Sequence, residues 1–298
     1  MRSLSSVLLT AALLAGCGGG AGPAAAPQPG AGSSPAAGTP APATPASATP
    51  APGAPTAAPQ PSGAGTAPRT VYWLGAADDP RGPRLYRELL PAPDTGDAVR
   101  DAVTRMLEGS PADPDYDSLW AGGTRLLSVR REGTTAVVDL SSEATGNGGG
   151  SAFEAMTVQQ LVHTVTAAEP SLEAVQLRVA GEPVETLWGA VDVRQPVRRT
   201  PAAETLGPVW LDVPEGGAVD GAFGGSATVF EATVSWQLRR GEVVVEEGFA
   251  TATTGAPERG EWTATTGAPP GDYDLWAFES SAKDGAITWV DSKRVTLR

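Results

Sequence analysis

Hydrophobic positions change their spacing along this chain, and each spacing predicts a different kind of element. An apolar-rich run over residues 4–14 follows the single basic residue Arg2. It is shorter than the roughly 20 apolar residues of a membrane-spanning helix, so residues 1–16 read as a signal peptide. From residue 18 to 68 the hydrophobic anchors vanish. That stretch has no Leu, Ile, Val, Met, aromatic or charged residue, yet it holds 13 of the chain's 28 prolines. It cannot bury enough apolar surface to offset the entropy of ordering its backbone. Residues 17–69 are therefore expected to be a disordered tether, with a reach between about 40 Å as a coil and about 160 Å extended.

Periodicity returns at residue 70. The runs TVYWLG (70–75) and LYRELLP (85–91) predict strands. Val99, Ala102, Val103, Met106 and Leu107 then fall at helical spacing. Arg100, Asp101, Arg105 and Glu108 lie off that stripe, and Gly109 ends it. TRLLSVRRE and TTAVVDLSS, parted by Gly133, predict a hairpin. Ser151 and Glu154 have capping-box spacing, which predicts a second helix from Ser151 through Met156, Leu161 and Val165 to about Ala168. LEAVQLRVAG and PVETLW predict one or two further strands, completing an α+β domain over 70–189. Residues 190–207, with prolines at 196 and 201 and no clear period, read as a linker.

Beyond it the period becomes two. SATVFEATVSWQL (226–238) alternates, with Thr228, Phe230, Ala232, Val234, Trp236 and Leu238 on one face, which is expected to be core with Trp236 central. EVVVEEGFATAT, EWTATT, DYDLWAFES and AITWVDSKRVTL supply further strands between turns. No helical stripe appears among them, and an all-β sandwich is expected over 208–298.

Two resemblances attach to these patterns. The helix ending in MLEGSP, then GTRLLSVRREGTTAVVDLSSE, then FEAMTVQQLVHTVTAAEPSLEAVQLRVAGEPVETLWG is similar to a GerMN domain, the module named from bacterial sporulation and germination proteins. VFEATVSWQL, LRRGEVVVEEG and AFESSAKDG resemble the immunoglobulin-like domain of bacterial spore germination proteins. The matched positions are mostly apolar residues and turn glycines. The resemblance therefore implies an α+β GerMN-like domain followed by an immunoglobulin-like sandwich, and it implies assembly or docking in the envelope, sporulation or sensor-kinase signalling rather than a catalytic site. One departure from the pattern is the glycine run TGNGGGS before the second helix.

Composition adds an address. Cys17 is the only cysteine, and LAGC resembles a bacterial lipobox, which implies cleavage before Cys17 and its lipidation. Two or three acyl chains would hold the protein stably on the outer face of the cell membrane. The formal net charge is −13, and both halves after the tether are acidic, so no nucleic-acid partner is expected. Only two of 21 basic residues are lysine, and Ala, Gly and Pro abound, which points to a high-GC genome such as an actinobacterium's.

Candidate chemistry is sparse. His163 is the only histidine, which leaves no choice of base for a triad and no histidine cluster for zinc. Ser280, Ser281 and Lys283 fall in the S-x-x-K pattern of penicillin-binding proteins, but the partner motifs are missing from the residues that follow. Ser281, Lys283, Asp284 and Gly285 instead predict a turn between strands. DPDYDS (113–118) spaces Asp113, Asp115 and Asp117 like the start of an EF-hand loop, with Ser118 where glycine is required and Thr124 where glutamate is required. The glycine run lacks the lysine of a phosphate-binding loop. No catalytic residue, metal or cofactor is expected. Along YDLWAFE, Tyr273, Leu275 and Ala277 take the core face, so Trp276 and Phe278 are expected on the other as an exposed aromatic pair suited to a protein partner or a sugar ring. The leading expectation is a lipid-anchored, non-enzymatic interaction module with an envelope protein as partner. A peptidoglycan-binding module is the alternative, and a wall-active enzyme follows behind it.

Overall fold

The computed structural model describes residues 65–75, 81–281 and 283–298. The signal peptide, Cys17 and most of the tether lie outside the described residues. The first strand, β1 (Thr66–Gly75), starts before residue 70, so Thr66 to Arg69 belong to a strand rather than to the tether. The cause is the partner: β1 pairs antiparallel with β2 (Arg84–Pro93) from Thr66 opposite Pro93 to Gly75 opposite Arg84. The helix α1 (Ala98–Glu108) follows, capped by Asp97, whose carboxylate accepts from the Arg100 amide. Val99, Ala102, Val103 and Met106 are buried as the stripe requires. Asp101 departs from expectation. It is buried too, because the Arg69 guanidinium and the Thr95 hydroxyl both bond its carboxylate.

The hairpin of β3 (Leu126–Glu132) and β4 (Thr135–Leu140) turns at Gly133, whose φ of 61° suits glycine. The helix α2 (Ser151–Ala168) leads to β5 (Ala174–Val179), which lies parallel to β4, as a crossover helix allows. β6 (Glu182–Pro183) and β7 (Val197–Arg198) both pair with β5. The capping box does not form. Gly150 occupies the cap position and no side chain caps the helix, while Glu154 is buried and accepts from the amides of Leu187, Trp188 and Ala190. The loop after β6 competes for the same carboxylate and offers it three donors.

α2 is buried along most of its length, and its buried polar residues complete the free side of a strand. The Thr164 hydroxyl accepts from the Tyr72 amide at 3.2 Å, and the Gln160 amide donates to the Tyr72 carbonyl at 2.8 Å. Over Tyr72, strand β1 has a strand partner on one side only among the described residues, and its other side is satisfied by a helix. The expected linker is structured. Gln159 bonds the Arg198 carbonyl and the Thr200 amide, the helix α3 (Ala202–Thr205) follows, and Gly207 donates to the Leu85 carbonyl.

The second half is a sandwich. One sheet runs in the order β13 (Gly260–Thr265), β10 (Ala222–Ala227), β8 (Val209–Leu211). The other runs β12 (Val243–Thr251), β11 (Thr233–Arg240), β14 (Gly271–Ser280), β15 (Ile287–Leu297), β9 (Gly217–Val219). The long alternating run 226–238 is not one strand. Its first residues end β10 and its last form β11 in the facing sheet, with a corner at 228–232 where Glu231 and Ala232 take φ of 51° and 57°. Alternation fails at such a sheet-switching corner, so Phe230 is 62% exposed instead of core. Val234, Trp236 and Leu238 are core, and the Trp236 ring meets Phe223 edge-on at 5.2 Å.

Candidate functional site

The described residues fall in one compact unit, and the α+β half meets the sandwich at a seam built by strand alternation. On β8, Val209 and Leu211 enter the sandwich core, while Trp210 between them enters the core of the first half. The Trp210 ring lies 6.0 Å edge-on from Tyr72, and the Arg259 guanidinium stacks 3.7 Å above it. Arg259 is further held by the Gly207 carbonyl at 2.9 Å and the Ser226 carbonyl at 3.0 Å. Burial lowers its pKa to about 10, with Arg87 adding repulsion. Close by, Arg87 grips Asp212 with two bonds of 3.0 and 2.7 Å.

A buried polar cluster lies on the same seam. Asp291 and Lys293 occupy inward positions of β15, in phase with the core residues Val295 and Leu297. The Lys293 ammonium bonds Asp113, the Tyr116 hydroxyl at 2.6 Å and Asp291 at 3.2 Å. Tyr116 in turn donates to Asp291 at 2.6 Å, and the Leu211 amide donates to the other Asp291 oxygen at 2.6 Å. Glu88 on β2 accepts from the amides of Ala112 and Asp113, which fixes the loop that brings Asp113 in. Burial raises the Asp113 pKa to about 6 against the opposing pull of Lys293. It raises Asp291 and Tyr116 as well. Burial acts to lower the pKa of Lys293, but Asp291 and Asp113 outweigh it and the net direction is upward. Asp115 completes the contact by accepting from Ser292 at 2.9 Å. The DPDYDS loop therefore holds an ammonium and a hydroxyl of the sandwich. Among the described residues no group of three or more His, Cys, Asp and Glu is arranged to hold a metal.

The sequence does not single out Asp291, Lys293, Tyr116 or Trp210 for this role. One signal for the first two is present: in WVDSKRVTL a charged pair sits at core-phase positions of a strand, and buried charges need partners.

Residues 70–185 match the family model described as sporulation and spore germination, and residues 209–286 match the immunoglobulin-like domain of bacterial spore germination. The chain carries a GerMN-like domain and a germination-type immunoglobulin-like domain. Among solved structures, the first GerMN domain of the sporulation protein GerM from Bacillus subtilis is similar at 19% identity, over 45% of this chain and 98% of that one, with a TM-score of 0.38. The tandem GerMN domains of the same protein are similar at 17% identity, over 62% of this chain and 58% of that one, with a TM-score of 0.39. No curated protein sequence matches the chain.

The remaining candidate residues fall as follows. Cys17 lies outside the described residues. In the immunoglobulin-like domain, Tyr273, Leu275 and Ala277 are core. Trp276 and Phe278 do not form an exposed pair. Phe278 is only 4% exposed although it keeps to the outer face opposite Ser235 and outside the sandwich core, beside Phe249 and Ile287. Trp276 is half-buried, with the Arg239 guanidinium 3.9 Å above its ring. Among the described residues, the exposed aromatic on this sheet is Phe249, on β12. Ser281, Lys283, Asp284 and Gly285 lie in the loop between β14 and β15: Gly285 has φ of 69° and donates to the Ser281 carbonyl, and Asp284 accepts from the Ala286 amide. Ser280 ends a strand beside Ser235, without the helix that the nucleophile pattern requires. In the GerMN-like domain, His163 is buried against Tyr72, with 5.1 Å between ring centroids. The glycine run ahead of α2 is exposed, with Asn147 bonding the Leu119 carbonyl. No helix among the described residues is long and apolar enough to cross a membrane.

Proposed function

We propose that this chain is a lipoprotein anchored through Cys17 on the outer face of the cell membrane. Its two domains act there as a single non-enzymatic body on which another envelope protein docks. The observation that supports this reading is the seam, where charge, aromatic packing and both cores are spent on joining the domains. The buried charges of the seam are committed to one another, and they fix the relative position of the two outer surfaces. Both matched families are described by sporulation or spore germination, which supports a role in one of those processes.

Two measurements test it together. Metabolic labelling with an alkyne fatty acid is expected to mark the wild type and not Cys17→Ala. In-cell photo-crosslinking from position 127 on β3 and position 276 on β14 is expected to give a discrete adduct with an envelope protein. An unlabelled wild type removes the anchor, and adducts with glycan alone at both positions replace protein docking by wall binding.

A further inference from the structure

Among the described residues, strand β12 ends its sheet and β11 is its only strand partner. It is nine residues long, and it carries four of the eight large hydrophobic side chains exposed among the described residues: Val243 (65%), Val244, Val245 and Phe249 (75%). A long, apolar, unpaired edge presents a row of backbone donors and acceptors to any extended chain, and proteins usually block such edges with lysine, proline or a covering loop. β12 holds no lysine or proline; its protection is a register shift that leaves Val245 without a partner on β11, and a contact of Thr266 and Gly267 with Glu246. Beside Phe249 the outer face of the sheet is hollowed into a groove of about 420 Å³, with Phe278 and Ile287 in its lining.

The charges of β12 itself have one sign, while Arg239 and Arg240 stand opposite Val244 and Val243 on β11. Glu242, Glu246 and Glu247 lie on or beside β12, and no lysine or arginine occurs from Gly241 to Glu258. Glu246 bonds Thr266 and Glu247 bonds Gln237, and none of the three forms an ion pair among the described residues. A second copy of the chain would bring the same acidic edge against itself, under a formal net charge of −13 per chain.

We infer that β12 is a strand-docking edge whose occupant is an extended segment of another protein, alternating aliphatic or aromatic residues with Lys or Arg. The added strand extends the sheet through backbone hydrogen bonds. On the outer face its apolar side chains cover Phe249, and on the opposite face its cations meet Glu246, since Glu247 shares the face of Phe249. This inference rests on the docking reading above and names the part of the surface that performs it.

The test uses the full chain in detergent micelles and a fluorescent octapeptide of alternating valine and lysine. Two control peptides accompany it: one alternating valine and glutamate, and one with the same valines and lysines in two blocks. Anisotropy is expected to show binding of the alternating basic peptide alone, weakened at least tenfold in Phe249→Lys and in Val244→Lys and weakened by added salt. Equal binding of the block peptide, or unchanged binding in both variants, overturns the edge and leaves only attraction to an acidic protein. Self-association of the wild type in sedimentation velocity, abolished by Val244→Lys, overturns it in favour of a second copy. A cellular adduct from position 127 or 276 that persists in Phe249→Lys, with no peptide binding, rejects β12 while the docking reading stands. Absence of both rejects the two together.

Discussion

His163 is held neutral by burial, with Arg199 adding repulsion, and its pKa falls to about 3. The unfolded chain takes up a proton near pH 6.5 that the folded chain refuses, so stability from this group is present at neutral pH and declines as pH falls from about 6.5 toward about 3. As the sole histidine it gives an unambiguous signal. Its imidazole resonances should stay unchanged from about pH 8 to about pH 5, and a titration midpoint near 6.5 contradicts the burial. Asp113 has the opposite sign. Its folded pKa of about 6 lies above the unfolded value, so its contribution weakens as pH rises between about 4 and about 6. Lys293 decides whether the cluster is tolerable at all. Lys293→Met leaves Asp113 and Asp291 buried without their counter-charge and should cost about 3–5 kcal/mol in urea unfolding. A loss below about 1 kcal/mol would mean that the seam is wet. From sequence, DPDYDS is visible as an acidic loop, but its partner arrives from about 175 residues later, and local spacing carries no information on such a contact.

At the scale of elements, the sequence locates most strands and both long helices, since burial of one face imposes a period that the residues must keep. It fails where tertiary contacts override the period. The corner at 228–232, the burial of Phe278 on the outer face and the recruitment of Glu154 are three such places. The last makes a direct prediction. Glu154→Ala removes the acceptor of three amides and should destabilise by about 1–3 kcal/mol, whereas Ser151→Ala, at a position that caps nothing, should change stability by less than about 0.5 kcal/mol. Comparable losses in the two variants would restore the capping box. Gly248 shows the same dependence on long-range packing: a Cβ there would lie 2.6 Å from the Trp236 ring, so this glycine in β12 is required by the core beneath it.

At the scale of the whole molecule, the seam joins the two domains into one mechanical body. Trp210 alternates out of its own sandwich into the neighbouring core, and Trp210→Ala should cost about 3–5 kcal/mol and be felt in both domains. The sequence divides at the change from mixed to two-residue periodicity, and both family models respect that division. The seam that joins the halves is carried by single residues at alternating positions, where no period announces it. Hydrogen exchange of the full chain under increasing urea tests the union most directly, by comparing amides in α2 with amides in β14. One body predicts the same opening free energy and the same urea dependence in both elements, lowered together by Trp210→Ala. Separate free energies, with Trp210→Ala affecting one element and sparing the other, would show two independent domains and contradict the account.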